Sequence, residues 1–180
     1  MKITLEEDIR KKALLDVAER MLIAARTAPK ARGIDNLVIS LVDDRQTIEA
    51  IASKMKDMVR AGIAQEYFVR DAGNILSAEA LVFIGTKIKS TGLKYCGLCG
   101  FKNCDEKNEH PEHPCVFNTG DLGIAIGSAV SVAMEARADN RIMYSAGIAV
   151  RDMKLLGEDV RIVYCIPLSS TGKNPFFDRK

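Results

Sequence analysis

Thr119 to Ala138 reads TGDLGIAIGSAVSVAMEARA, and the thirteen residues from Leu122 to Met134, between Asp121 and Glu135, carry no charge. A run of that length falls short of a bilayer core of about 30 Å and fits a helix buried inside a protein. Asn118 or Thr119 is placed to cap its start, with Asp121 as a favourable negative charge in the first turn rather than a catalytic base. Gly123, Gly127, Ser128 and Ser131 are small residues at close helical spacing, which lets another backbone approach. Two readings stand for that stripe: a seam between two copies of the chain, or packing inside one copy.

Outward from this helix, the chain alternates helical and extended patterns. Leu5, Ile9, Ala13, Leu14, Val17, Met21 and Ala24 recur at three- and four-residue steps, so Leu5 to Thr27 is an amphipathic helix that ends before Pro29. Asn36 to Val42 and Ala80 to Thr86 are buried strands, separated by a helical stretch from Gln46 to about Asn74 that breaks near Gly62. After the long helix come a short extended piece at Ile142 to Ser145, a short helix at Ala149 to Leu156 ended by Gly157, a buried strand at Val160 to Leu168, and a tail from Lys173. The expected fold is α+β, a mixed sheet flanked by helices in a single domain over residues 1–180.

The 180 residues carry a net charge of +2, too little to recruit nucleic acid or an acidic membrane surface. Met1 to Arg10 turns acidic by Glu6, unlike a signal peptide, and the chain is expected in the cytoplasm. Thiols are kept reduced in that compartment, so clustered cysteines there point to metal or catalysis rather than disulfides.

Four of the five cysteines fall in one irregular segment, Lys87 to Asn118, with the metal loop proper at residues 93–118. Cys96, Cys99, Cys104 and Cys115 have the spacing C-x2-C-x4-C-x10-C. Four thiolates are the usual ligands of a 4Fe–4S cluster, and two cysteines two residues apart can wrap one corner of it. Gly97 and Gly100 relieve crowding there, Leu98 and Phe101 can shield the sulfurs, and Lys94, Lys102 and Lys107 lie near. Zinc is the alternative occupant of the same donors, with His110 or His113 able to replace a thiolate. Otherwise the two histidines are solvent-exposed. Cys165 stands alone in an apolar strand and reads as a small buried hydrophobe.

CGLCGFKNC is similar to the CG-x-CG-[YF]-x-x-C signature of 4Fe–4S domains in the B subunit of the RNF electron-transport complex and in corrinoid iron–sulfur proteins. In those the last cysteine lies somewhat farther along than Cys115. The scaffold has a resemblance of its own. Ala25 to Gly33 looks like the A-x-x-A-P-S-A-x-N loop of flavin-dependent nitroreductases, Asp121 to Ala133 is similar to their central helix, and Gly147 to Arg179 matches their carboxyl end. Together, scaffold and loop resemble a family described as containing a ferredoxin domain. The resemblance implies a nitroreductase-like fold, a homodimer and FMN bound at its seam. The arginine-rich start that binds the flavin phosphate in nitroreductases is missing here, leaving Arg26, Lys30, Arg32 and Arg179 as its candidate partners. The same four residues can equally be solvated surface. The expected function is electron transfer or an oxidoreductase subunit working with a redox partner protein or a small acceptor. The alternative is a zinc-stabilised binding module.

Overall fold

The computed structural model describes residues 3–177, so Arg179 lies outside the described residues. Helix α1 spans Glu6–Thr27, with Glu6, Glu7 and Asp8 set against the positive end of its dipole. It stops at Ala28, held extended by the following proline. A single 3-10 turn at Ala31–Gly33 leads into β1, Leu37–Val42. Asp44 then caps α2 (Arg45–Arg60), accepting a hydrogen bond from the Thr47 backbone at 2.8 Å. The expected break near Gly62 separates α2 from α3, Tyr67–Leu76. Strand β2 follows at Ala80–Lys87, and after the cysteine segment come α5 (Val116–Glu135), β3 (Asp139–Asn140), α6 (Tyr144–Asp152) and β4 (Val160–Ser169).

The four strands lie in the order β1-β2-β4-β3. Among the described residues every pairing is antiparallel, so the expected α+β class holds while the sheet there is antiparallel and not mixed. The reason is a parity of crossings. Two helices, α2 and α3, lie between β1 and β2, so the chain crosses the layer twice and returns running the other way. The register of β4 against β3 places Pro167 where its missing N–H falls at a gap in the ladder, between the Asn140–Leu168 pair and the Met143–Cys165 bridge.

Strand alternation divides the core in two. Leu81, Phe83, Val163 and Cys165 face α2, α3 and α6. Val82, Ile84, Ile166 and Leu168 face α1 and α5. Each large apolar side chain so buried contributes about 1.5–3 kcal/mol.

Helix α5 differs from expectation at its start. It begins at Val116 with Cys115 as its N-cap, three residues before Thr119. Asp121 is therefore in the second turn, and it is not a first-turn charge. Both its oxygens accept from the Ala31 backbone at 3.1 Å, fixing α5 to the turn after α1. At 20 residues α5 is long and apolar enough to cross a membrane by those measures alone. One face is nevertheless buried against α1 and the sheet, with Ala125, Ala129 and Ala133 at its centre. Gly120, Gly123 and Gly127 lie on the opposite face with no atom within 4 Å of where a side chain would begin. Packing within one copy therefore does not account for them. Helix α6 also starts earlier than expected, at Tyr144 instead of Ala149.

Candidate metal centre

The cysteine segment leaves β2, forms a loop, and returns to α5, and both its ends are pinned. The Asn118 side chain, buried at the start of α5, accepts from the Lys89 backbone at 2.9 Å. The Thr91 hydroxyl lies 3.6 Å from the Cys115 sulfur. From the other side, the Arg32 guanidinium donates to the backbone oxygens of Thr91 at 2.9 Å and Gly92 at 3.2 Å. Arg32 itself has a left-handed backbone (φ +56°), a strained state for a residue with a side chain. The anchoring contacts offset that strain. The basic turn and the cysteine loop, separate in sequence, thus form one unit held together by Arg32 and Asp121.

Within the loop the cysteines sit on three pieces of backbone. Cys96 precedes, and Cys99 lies within, a turn closed by the Gly100 backbone donating to Gly97 oxygen at 3.0 Å. Gly97 (φ +93°) and Gly100 (φ +90°), at the two ends of that turn, take positive φ values that residues with side chains rarely adopt. Cys104 opens a five-residue helix, α4 (Cys104–Asn108), inside a segment expected to be irregular throughout. Asn103 caps it by accepting from the Glu106 backbone at 2.9 Å, and the Glu106 carboxylate reaches back to the Lys102 backbone. Cys115 caps α5 and retains 4% exposure, whereas the other three are partly exposed.

Burial pushes the Cys115 thiol up. Hydrogen bonds to its sulfur from the Thr91 hydroxyl and from the Thr91, Phe117 and Asn118 backbones outweigh that, and hold it below the ordinary thiol range. A thiol held low at the positive end of a helix is a ready thiolate ligand. Cys165 is fully buried in β4, and burial alone pushes its thiol well up, as suits an inert core residue. His110 and His113 are exposed and pack around Phe101, with ring centroids 5.1 and 5.5 Å from it. Leu98, expected to shield the sulfurs, stands out at 71% exposure.

The donor set fits an iron–sulfur cluster in kind, through four thiols, two glycine turns and a prepared sulfur at Cys115. Among the described residues, no three histidine, cysteine or carboxylate side chains gather closely enough to hold a metal ion. Flavin phosphate finds a poorer fit. Arg26 pairs with Asp35 at 2.5 Å. Lys30 is buried and caps the end of α1, donating to Ala25 oxygen at 2.9 Å and to Arg26 oxygen. Arg32 holds the loop.

These features define a nitroreductase-like α+β fold with a cysteine loop inserted between β2 and α5. Solved structures share that fold. A nitroreductase with bound FMN from Bacteroides fragilis superposes with a TM-score of 0.62 at 13% identity, over 92% of this chain and 81% of that one. A BluB-like flavoprotein from Clostridium difficile gives 0.57 at 19% identity, over 88% and 84%. In sequence, an uncharacterized protein of Archaeoglobus fulgidus is 40% identical over 181 residues, covering 97% of this chain and 96% of that one. The chain belongs to the family of that protein, and its residues 112–179 match the family model described as an uncharacterized protein containing a ferredoxin domain (DUF2148). The matched segment includes Cys115 and begins after the other three loop cysteines.

Sequence reasoning missed Thr91 and Asn118, which pin the loop, and the tie between Asp121 and Ala31. An asparagine three residues after a proline–cysteine pair is a signal, but on sequence alone it reads as a helix cap.

Proposed function

We propose that this protein is a one-electron redox carrier holding a 4Fe–4S cluster on Cys96, Cys99, Cys104 and Cys115. The observation that supports it best is Cys115, buried at the start of α5 with its sulfur 3.6 Å from the Thr91 hydroxyl. Bound there, the cluster would supply reversible one-electron transfer. Cys104, Cys115 and the Cys96–Cys99 turn would hold it, and the Thr91 hydroxyl would stabilise negative charge on the Cys115 sulfur. The ferredoxin-domain description of the matched family is in keeping with this reading.

The working unit is a homodimer joined along the exposed glycine face of α5. FMN enters as a weakly held electron partner, because Asp35 and backbone oxygens already occupy Arg26, Lys30 and Arg32. A redox protein is the other class of partner. The test is anaerobic reconstitution with iron and sulfide. We expect about four irons per chain, absorbance near 400 nm and loss of both in the Cys96→Ser, Cys99→Ser and Cys104→Ser variants. Uptake of one zinc in place of iron would favour a structural metal module. FMN fluorescence quenching that survives Lys30→Ala with Arg32→Ala would move the phosphate site elsewhere.

A further inference from the structure

In the layer of α2, α3 and α6, on the other side of the sheet from α1 and α5, lies a cleft of about 530 Å³. A hollow of that size takes a small molecule. Its lining comes from the end of α2, the α2–α3 connection, the start of α3 and one side of α6, and none of it from the cysteine loop or the basic turn. Gly62 (φ +71°) follows α2, and the Ile63 and Ala64 backbones both donate to Met58 oxygen, at 2.9 and 3.1 Å. That fixes the connection and leaves Ile63 at the rim with 74% exposure. The floor is Met58 and Phe68, both buried. The Tyr144 ring meets Phe68 edge to face with centroids 6.0 Å apart, and Tyr67 is tilted against Tyr144 and Phe68 at 6.1 and 5.2 Å. Single exposed apolar residues are ordinary on a surface, but here they line one hollow with polar groups at its two ends.

At one end the Tyr67 and Tyr144 hydroxyls are hydrogen-bonded to each other. That bond uses one of their two protons and leaves the other free to donate. At the other end Arg151 donates through Nε and Nη2 to a single oxygen, Asp152 Oδ1, at 3.0 and 2.8 Å. Arg151 Nη1 and the second Asp152 oxygen take no part in that pair. Tyr144, Ile148 and Arg151 follow at i, i+4 and i+7 along one side of α6, so the two ends are about 10 Å apart with Ile148 between them. We propose that this cleft binds an aromatic α-amino acid. Arg151 takes its carboxylate and Asp152 its ammonium, the ring packs against the aromatic wall and Ile63, and a ring hydroxyl, as in tyrosine, reaches the phenol pair. A simple aromatic acid is repelled by Asp152 and a simple aromatic amine by Arg151, whereas the zwitterion satisfies both. The inference is independent of the iron–sulfur reading, because no residue of the cleft belongs to the loop.

The test is isothermal titration calorimetry on the full chain, with L-tyrosine, L-phenylalanine, 3-phenylpropionate, 2-phenylethylamine and L-leucine as probes. We expect saturable binding of the two aromatic amino acids, tyrosine the tighter, and no binding of leucine. Phenylpropionate and phenylethylamine, each lacking one charge, are expected to be weaker by about tenfold or more. Arg151→Gln, an exposed substitution, is expected to weaken both aromatic amino acids by about tenfold and to leave phenylethylamine no weaker. Tyr144→Phe is expected to keep phenylalanine binding and to lose the preference for tyrosine. No heat from either aromatic amino acid at millimolar concentration overturns the inference. So does leucine or phenylpropionate binding as tightly as phenylalanine, which would make the cleft a general apolar groove. An Arg151→Gln protein with unchanged affinity for both aromatic amino acids overturns it as well.

Discussion

Gly147 is where the fold has least room, and replacing it by alanine measures how tightly α6 lies on the sheet. A side-chain carbon built there would sit 1.9 Å from the Val163 backbone oxygen, 2.6 Å from its carbonyl carbon and 3.1 Å from the Tyr164 Cα. Ordinary contact distances for such atoms are about 3.5 Å, so α6 must retreat by roughly 1.5 Å from β4. All three atoms are backbone in a strand paired on both edges, and none can rotate aside. Overpacking of this kind costs about 1–3 kcal/mol, and a rigid neighbour puts it at the upper end. Alanine returns about 1 kcal/mol through helix propensity. The net loss is therefore about 2 kcal/mol, or roughly 4–8 °C in melting temperature for a chain of this size. Urea unfolding followed by circular dichroism reads it directly. A Gly147→Ala protein as stable as wild type would show that α6 does not rest on Val163.

Three further outcomes follow from other parts of the molecule. Gly127→Leu on the open face of α5 should split the proposed dimer, weakening association by about 1–3 kcal/mol; light scattering that finds wild type monomeric refutes the seam. Cys165→Ser should leave iron content unchanged while lowering stability by about 1–3 kcal/mol, since it buries a hydroxyl without a partner; equal iron loss would place Cys165 among the ligands. Partial burial pushes the Asp35 carboxyl up, but hydrogen bonds from Arg26 and the Leu37 backbone, and the charges of Arg26 and Lys30, leave it below its ordinary value of 3.8. Its contribution is therefore complete above that value and lost as pH falls below it toward the lowered folded value. Arg26→Ala should flatten that part of a stability–pH profile, and an identical profile would exclude the pair from acid stability.

The elements legible in the sequence are those whose side chains all respond to one environment. Helix α1 shows its spacing because one stripe, Leu14, Ala18, Met21 and Ala25, meets the core. Strand β2 shows as an unbroken apolar run because both its faces are covered. Strand direction was not legible in the strands themselves, because nothing in Val82 or Phe83 records which way a neighbour runs, although the break near Gly62 already pointed to two helices before the return. Helix α6 was misplaced for a related reason. Gly147 reads locally as a helix breaker, yet it lies inside the helix because only glycine permits the approach to Val163. Tertiary contact outweighed propensity there.

The architecture of the cysteine loop was not legible in the sequence, and the reason lies in what holds it. The thiols announce themselves by type and spacing, but their supports are backbone groups that no residue name reveals: Thr91 oxygen on Arg32, the Ala31 N–H on Asp121, the Lys89 N–H on Asn118. Arg32 and Asp121 were singled out as a phosphate partner and a first-turn charge, since a guanidinium and a carboxylate advertise ions before they advertise peptide bonds. In the structure both bind backbone, and between them they join the turn after α1, the base of the loop and the second turn of α5. Any electron partner that docks on the exposed face of the loop therefore meets a surface whose footing is shared with α5. The loop and the proposed dimer seam thus share a footing on α5 through Asp121 and Arg32.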